Sequence, residues 1–224
     1  MLLLAGSGSR FGNRIPKQFL KLSGNPEPLF IQSLKRIASI VKADQCILVV
    51  HPDFINQPDF LEPLADYTIS QPDISVEVIS GGKTRHESFR KGTALINCAQ
   101  EGALLVHDAN RPFISQPFAD SIQKNAASLS NHKPCLVPVI HLVDSVCRAK
   151  EDSVLEYPPR EQLFRIQTPQ MIFLPALGEA LNKSWQNNQN TYPDEGSFML
   201  AMGFPVFTYP GDIQNIKITY EADT

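Results

Sequence analysis

The chain has 224 residues, 42% of them hydrophobic and 19% charged, with 13 Phe and a single Trp; this is globular composition and excludes a disordered or fibrous chain. Twenty basic against 23 acidic side chains give a formal charge of −3, so no broad basic field can hold a long nucleic acid, although a local cluster can still hold phosphate groups. The longest apolar runs, Met1 to Ala5 and Cys46 to Val50, fall far short of the ~20 residues a membrane span needs.

Leu2 to Ala5 reads as a short strand that runs straight into Gly6-Ser7-Gly8-Ser9-Arg10-Phe11-Gly12, a loop no regular element tolerates. The first apolar run lacks the basic flank of a secretion signal, so the chain is expected in the cytoplasm. Phe30, Leu34, Ile37 and Ile40 follow helical spacing, and Cys46 to Val50 reads as a strand buried on both faces. Ile74 to Ile79 predicts the next strand, and Thr84 with Glu87 stands at capping-box spacing ahead of a helix predicted to reach Ala99. Ala103 to Val106 is a further buried strand, Ser115 and Pro117 open a helix through about Ser128, and Pro134 to Ile140 is the strand after it. From His141 to Arg160 the periodicity fades into alternating and polar residues, which predicts a projecting hairpin arm. Helical spacing returns over Leu174 to Asn188, where Trp185 reads as core, and over Asp194 to Met202, before a late strand from Pro205 to Tyr209. The alternation predicts an α/β chain, a three-layer αβα Rossmann-like domain over residues 1–224 with a mostly parallel sheet and a projecting β-arm at about 140–161. Cys46, Cys98, Cys135 and Cys147 form no Cys-x-x-Cys pair and have no His at zinc spacing, so they read as free thiols.

Ligands of such sheets sit beyond the carboxyl ends of the strands, and the informative residues gather there. The Gly-x-Gly turn alone fits a tight turn as well as a phosphate cradle. It is neither the dinucleotide fingerprint, whose third glycine it places one residue late, nor a P-loop, since no Gly-Lys-Ser/Thr follows. Arg10 and Lys17 then put two cations within seven residues of its exposed N–H groups. His107-Asp108-Ala109-Asn110-Arg111-Pro112-Phe113 sets an acid and a guanidinium directly after a buried strand, where they are either a structural ion pair or ligand groups. His107 reads as a packed, hydrogen-bonded histidine, because no Ser or Cys nucleophile motif stands near it.

Taken in order, the glycine loop, Pro16-Lys17-Gln18-Phe19-Leu20, Gly81-Gly82 with Arg85 and Ser88, His107 to Phe113, Arg160 with Gln167-Thr168-Pro169-Gln170, Asp194-Glu195 and Asn215-Ile216-Lys217-Ile218-Thr219 resemble the 2-C-methyl-D-erythritol 4-phosphate cytidylyltransferase family. The resemblance runs from Leu2 to Thr219. It implies transfer of CMP from CTP to a small polyol phosphate with release of pyrophosphate, Mg²⁺ bridging phosphate oxygens and no covalent nucleophile. By this resemblance Arg10, Lys17, Arg160 and Lys217 are the catalytic positions. Ala5, Gly6, Gly8, Arg10, Lys17, Gly82, Lys83, Ser88 and Ala109 hold CTP, while Asp108, Arg111, Ser145, Arg160, Thr168 and Lys217 hold the polyol phosphate. It further implies a homodimer in which the arm reaches into a second subunit, with neither nucleic acid nor membrane as partner.

Three positions depart from the family pattern: Lys83 stands where Asp is frequent, Ser145 where Thr is common and Pro193 where Thr usually precedes Asp-Glu. A sister group that activates ribitol 5-phosphate shares the glycine loop and Thr-Pro-Gln, so it supplies the alternative acceptor; Arg160 to Phe164 and Asp194 to Ser197 stand closer to the methylerythritol group. An inactive CTP-binding homologue is the alternative of another class. Where relatives usually continue into a C-terminal helix, this sequence stops at Thr224.

Overall fold

The computed structural model describes residues 1–6, 16–41, 45–184, 191–219 and 223; Gly8, Arg10 and the rest of the glycine loop, as well as Trp185, lie outside them. Strand β1 (Leu2–Leu4) leads through the loop and a one-turn 3₁₀ helix at Lys17–Phe19 into α1 (Leu29–Val41), β2 (Gln45–Val50), α2 (Pro58–Ser70), β3 (Ser75–Ser80) and α3 (Arg85–Thr93). There follow β4 (Ala103–Asp108), α4 (Gln116–Ala126), β5 (Cys135–His141), the hairpin β6 (Arg148–Lys150) and β7 (Ser153–Glu156), β8 (Phe164–Ile166), β9 (Gln170–Phe173), α5 (Leu174–Ser184), α6 (Glu195–Ala201) and β10 (Val206–Pro210).

Eight strands form one sheet in the order β10-β5-β9-β4-β1-β2-β3, with β8 paired to β5. The ladders β4-β1, β1-β2, β2-β3 and β5-β10 are parallel, as the βαβ alternation requires. Strand β9 runs against both β4 and β5, and β8 runs against the far end of β5. Neither short strand was legible: β9 is four residues directly after Pro169, and every residue of β8 is exposed.

Alternate residues of the central strands enter cores on opposite faces, the signature of a doubly covered sheet. Leu104, Val106, Cys135, Val137 and Ile172 pack with Phe89 of α3, Leu177 of α5 and Phe198 of α6. Leu105, Leu136 and Met171 point the other way, onto Ile37 of α1 and Phe118 of α4. At the other end Leu4, Leu48 and Val50 meet Phe30, Phe60, Leu64 and Tyr67 of α1 and α2. This is the three-layer arrangement expected.

Two helices correct the reading above. Helix α2 was missed because Pro63 falls inside it and interrupts a helical pattern, at the cost of one backbone hydrogen bond; Phe60, Leu64 and Tyr67 nevertheless recur on one face and are buried. Helix α3 ends at Thr93 rather than Ala99: Ala94 N–H turns to the Lys91 carbonyl, and Asn97 Oδ1 accepts the Ala99 N–H, an Asx turn that competes with further helix. The arm does form a hairpin, a two-stranded sheet of its own whose residues are all exposed.

Candidate active site

The carboxyl ends of four neighbouring parallel strands, β4, β1, β2 and β3, carry Asp108, Ala5 with Gly6, His51 and Gly81 with Gly82 in spatial order. They form the floor of a cleft of about 370 Å³.

At the β1 end, buried Gln18 donates from Nε2 to the carbonyls of Leu4 (2.6 Å) and Gly6 (3.0 Å). This ties the 3₁₀ turn to the strand end and sets Lys17 in the cleft wall, while Phe19 anchors the turn against Phe30 and Phe60. At the β3 end, Gly81 N–H donates to the Val50 carbonyl at 2.7 Å and Gly82 N–H to Ser88 Oγ at 3.0 Å. A Cβ on Gly82 would stand 2.3 Å from Glu87 Cβ, so only glycine permits this approach. Thr84 caps α3 by accepting the Glu87 N–H, but the Glu87 carboxylate takes the Lys83 N–H instead of closing the box on Thr84.

The β4 end is organised around Asp108. Its Oδ2 accepts from Lys217 Nζ at 2.8 Å and faces Arg111 Nε at 3.5 Å, and its Oδ1 faces Arg85 Nη2 at 3.3 Å. Burial alone would raise its pKa, but Lys217, Arg85 and Arg111 together hold the carboxyl well below the usual carboxylate range. Arg85 also makes a two-point contact with fully buried Glu195, at 2.5 and 3.0 Å. Burial there outweighs the arginine and leaves the Glu195 pKa raised.

Behind Asp108, His107 Nε2 meets the Arg111 carbonyl at 3.0 Å and Nδ1 meets Thr168 Oγ1 at 2.9 Å. A carbonyl only accepts, so the neutral ring carries its proton on Nε2 and accepts from Thr168 on Nδ1. Thr168 Oγ1 in turn accepts the Asp108 N–H at 3.1 Å. His107 is therefore a packed histidine that orients Thr168 and Asp108.

Segment 211–219 is sewn onto this end by buried amides. Gln167 Nε2 donates to the carbonyls of Asp212 and Asn215, Asn215 Nδ2 to that of Thr168, and Asn110 Nδ2 to that of Ile218. Arg111 Nη1 reaches the Asn215 carbonyl at 2.8 Å. Together these bonds deliver Lys217.

Of the residues nominated from the sequence, Ala5, Gly6, Lys17, Gly82, Lys83, Ser88, Asp108, Ala109 and Lys217 line this one cleft. Arg111 and Thr168 stand behind Asp108 rather than in the lining. Ser145 and Arg160 are exposed on the arm and outside the lining, with Arg160 Nη1 on the Val143 carbonyl at 3.0 Å. Gly8 and Arg10 lie outside the described residues. The sequence reading gave no role to Arg85, Glu195, Gln18 or His51, although Arg85, Glu195 and Gln18 stand within the quoted motifs. The described lining residues include four cations, Lys17, Lys83, Arg85 and Lys217, against a single carboxylate, Asp108. Such a cleft suits a polyanion.

A family model, IspD: 2-C-methyl-D-erythritol 4-phosphate cytidylyltransferase, matches residues 1–224. This chain belongs to that family. It is 34% identical to the 2-C-methyl-D-erythritol 4-phosphate cytidylyltransferase of Chromobacterium violaceum, over 98% of this chain and 91% of that protein. It is 35% identical to the protein of the same name from Dechloromonas aromatica, over 98% of this chain and 90% of that one. The crystal structure of 2-C-methyl-D-erythritol 4-phosphate cytidylyltransferase from Thermus thermophilus has the same fold, with a TM-score of 0.74 at 23% identity, covering 100% of this chain and 94% of that one.

The donor set of this cytidylyltransferase-family cleft limits how a divalent cation can be held. Among the described residues no three His, Cys, Asp or Glu side chains converge, and the one lining carboxylate already faces three cations. A Mg²⁺ ion would therefore have to be held mainly by oxygens of a bound phosphate ligand.

Two buried histidines make its stability acid-sensitive. Burial lowers the pKa of His107 from 6.5 to about 4, and burial followed by the Arg90 charge lowers that of His86 to about 4. Both stay neutral in the fold and take up a proton in the unfolded chain as pH falls below 6.5. Their stabilising contribution is complete above that pH and is lost as pH falls towards about 4. The lowered pKa of Asp108 acts in a separate window, below the unfolded value of 3.8. The expected thermal midpoint falls steadily from pH 6.5 to pH 4; a level midpoint across that range, read by scanning calorimetry, would contradict the buried neutral histidines.

Proposed function

We propose that this chain is a CTP-dependent cytidylyltransferase that transfers CMP to 2-C-methyl-D-erythritol 4-phosphate, giving 4-diphosphocytidyl-2-C-methyl-D-erythritol and pyrophosphate in isoprenoid biosynthesis. The observation that carries this reading is the cleft at the carboxyl edge of the sheet lined by Lys17, Lys83, Arg85 and Lys217 with Asp108 as the one carboxylate among its described lining residues, in a chain matched to the family over its whole length.

The reaction brings a phosphate monoester against a triphosphate, so mutual repulsion and charge developing on the α-phosphate and on the leaving pyrophosphate set the barrier. Lys17, held by its neighbour Gln18, and Arg10 of the glycine loop neutralise that charge. Backbone groups of Ala5, Gly6 and Gly8 approach the phosphates, and Gly82, Lys83, Ser88 and Ala109 border the nucleoside. Lys217, with Arg160, draws the acceptor phosphate in line for attack on the α-phosphorus; Asp108, Arg111, Ser145 and Thr168 orient the polyol. An acceptor phosphate oxygen attacks directly and pyrophosphate departs, so no enzyme nucleophile takes part. Mg²⁺ on the triphosphate oxygens supplies further charge neutralisation.

The chain is read as one domain over 1–224 with its arm at about 140–161, acting in the cytoplasm as a homodimer. Supporting the dimer, the arm and its roots expose Val143 (74%), Leu155 (59%) and Tyr157 (73%), and the hairpin has no core of its own to cover them. A second subunit seated there would bring Arg160 and Ser145 towards a cleft that the single chain completes without them. Among the described residues no helix is long and apolar enough to cross a membrane.

The test is pyrophosphate release from CTP and Mg²⁺ with 2-C-methyl-D-erythritol 4-phosphate, with ribitol 5-phosphate and with no acceptor. Release with the first acceptor alone is expected. Release with ribitol 5-phosphate alone would move the acceptor assignment, an outcome to which the Ser145 departure on the polyol side points, and CTP binding without release from either acceptor would leave an inactive binder.

A further inference from the structure

We propose that His51 is a nucleotide-binding residue that donates its Nε2–H to the acceptor edge of the pyrimidine base; this rests on the cytidylyltransferase reading above. His51 follows the last residue of β2 and lines the cleft. Because the sheet runs β4-β1-β2-β3, His51 stands two strands from the Asp108–Lys217 end, between the Ala5-Gly6 end of β1 and the Gly81-Gly82 end of β3. The latter pair is bound to the residue before His51, through Gly81 N–H and the Val50 carbonyl. A Cβ on Gly81 would stand 2.4 Å from Ala5 Cβ, so glycine there lets the β3 end pack directly against the β1 end, and Gly82 beside it lines the cleft next to His51.

The orientation of the imidazole is set within its own turn. Asp53 N–H donates to Nδ1 at 3.3 Å, and the ring stands edge-on to Phe54 at 5.8 Å between centroids. With Nδ1 accepting, the neutral ring carries its proton on Nε2, and Nε2 has no protein partner among the described residues. The Asp53 carboxylate, 3.7 Å from Nδ1, is 80% exposed and turned to solvent. One preoriented donor thus lines the cleft beside Gly82, where Gly82, Lys83 and Ser88 border the nucleoside, and cytosine presents two adjacent acceptors, O2 and N3, that such a donor can read.

The experiment measures calorimetric affinity of the full chain for CTP and for inorganic tripolyphosphate, both with Mg²⁺, in wild type, His51→Ala and His51→Phe, together with KM and kcat. The expected result is a CTP Kd about tenfold higher in both variants, the worth of one hydrogen bond, with KM for CTP raised alongside it and tripolyphosphate affinity within about twofold of wild type. Unchanged CTP affinity in both variants overturns the proposal. So does an equal loss for tripolyphosphate, which would place His51 on the phosphates, and so does normal CTP affinity in His51→Phe alone, which would leave only ring packing. Wild-type protein that binds no CTP at all fails the cytidylyltransferase reading itself and takes this inference with it.

Discussion

Lys17→Ala is expected to lower kcat for pyrophosphate release by at least ~10²-fold while shifting the thermal midpoint by no more than a degree or two. A preorganised charge aimed at the oxygens that gain charge in the transition state is worth roughly 3 kcal/mol or more of barrier. The fold keeps its anchor, because Gln18 holds the turn to Leu4 and Gly6, and Phe19 holds it to the core. A moderate rise in KM for CTP would accompany the loss of kcat. Turnover within a few-fold of wild type would remove Lys17 from the mechanism.

The second large effect is on stability. Asp108→Asn keeps the shape of the side chain and the backbone bond to Thr168, but withdraws what is, among the described residues, the only carboxylate facing Arg111, a guanidinium that is itself buried, and one of two facing Arg85. Removing one member of a buried charge cluster costs about 3 kcal/mol, mostly because the remaining cation is left uncompensated. The expected reading is a lower denaturant midpoint at unchanged slope, together with a loss of turnover as Lys217 loses its acceptor. Lys217→Met separates the two effects. Its side chain is 42% exposed in the pair, so the same denaturation experiment should show a loss below ~1 kcal/mol while turnover falls as far. Equal destabilisation by both substitutions would mean that the cluster is held by Lys217 rather than by Asp108.

Much of the fold was legible because its signals are local. Helical spacing at Phe30, Leu34 and Ile37, the apolar run Cys46 to Val50, and Ser115 and Asp194 at helix starts each depend on a few adjacent residues, and each stands in the structure as read. Where a local signal was contradictory, as at Pro63, or too short, as in β8 and β9, the reading failed. Tertiary contact, not propensity, decides those elements: β9 is made a strand by ladders on both sides, and α2 is held by Phe60, Leu64 and Tyr67 in the core.

The candidate site divides in the same way. Glycines that no side chain could replace, a lysine following a proline after a loop, and an acid at the end of a buried strand announce themselves in the sequence, and their order along the chain carried the family resemblance. What each charge does depended on residues far apart in the chain. Arg85 was quoted without a role because Glu195 lies 110 positions away, and Asp108 is held ionised by Lys217, 109 positions away. His51 is an ordinary residue after a strand until the sheet order sets it between the ends of β1 and β3. The sequence by itself determined the layers, the family and the edge of the sheet where chemistry gathers, since periodicity and glycine sterics are properties of neighbouring residues. The tertiary structure alone decided which charges meet and which histidine faces the cleft, because pairing across the sheet depends on strand order and burial, and neither is encoded in any one stretch of chain.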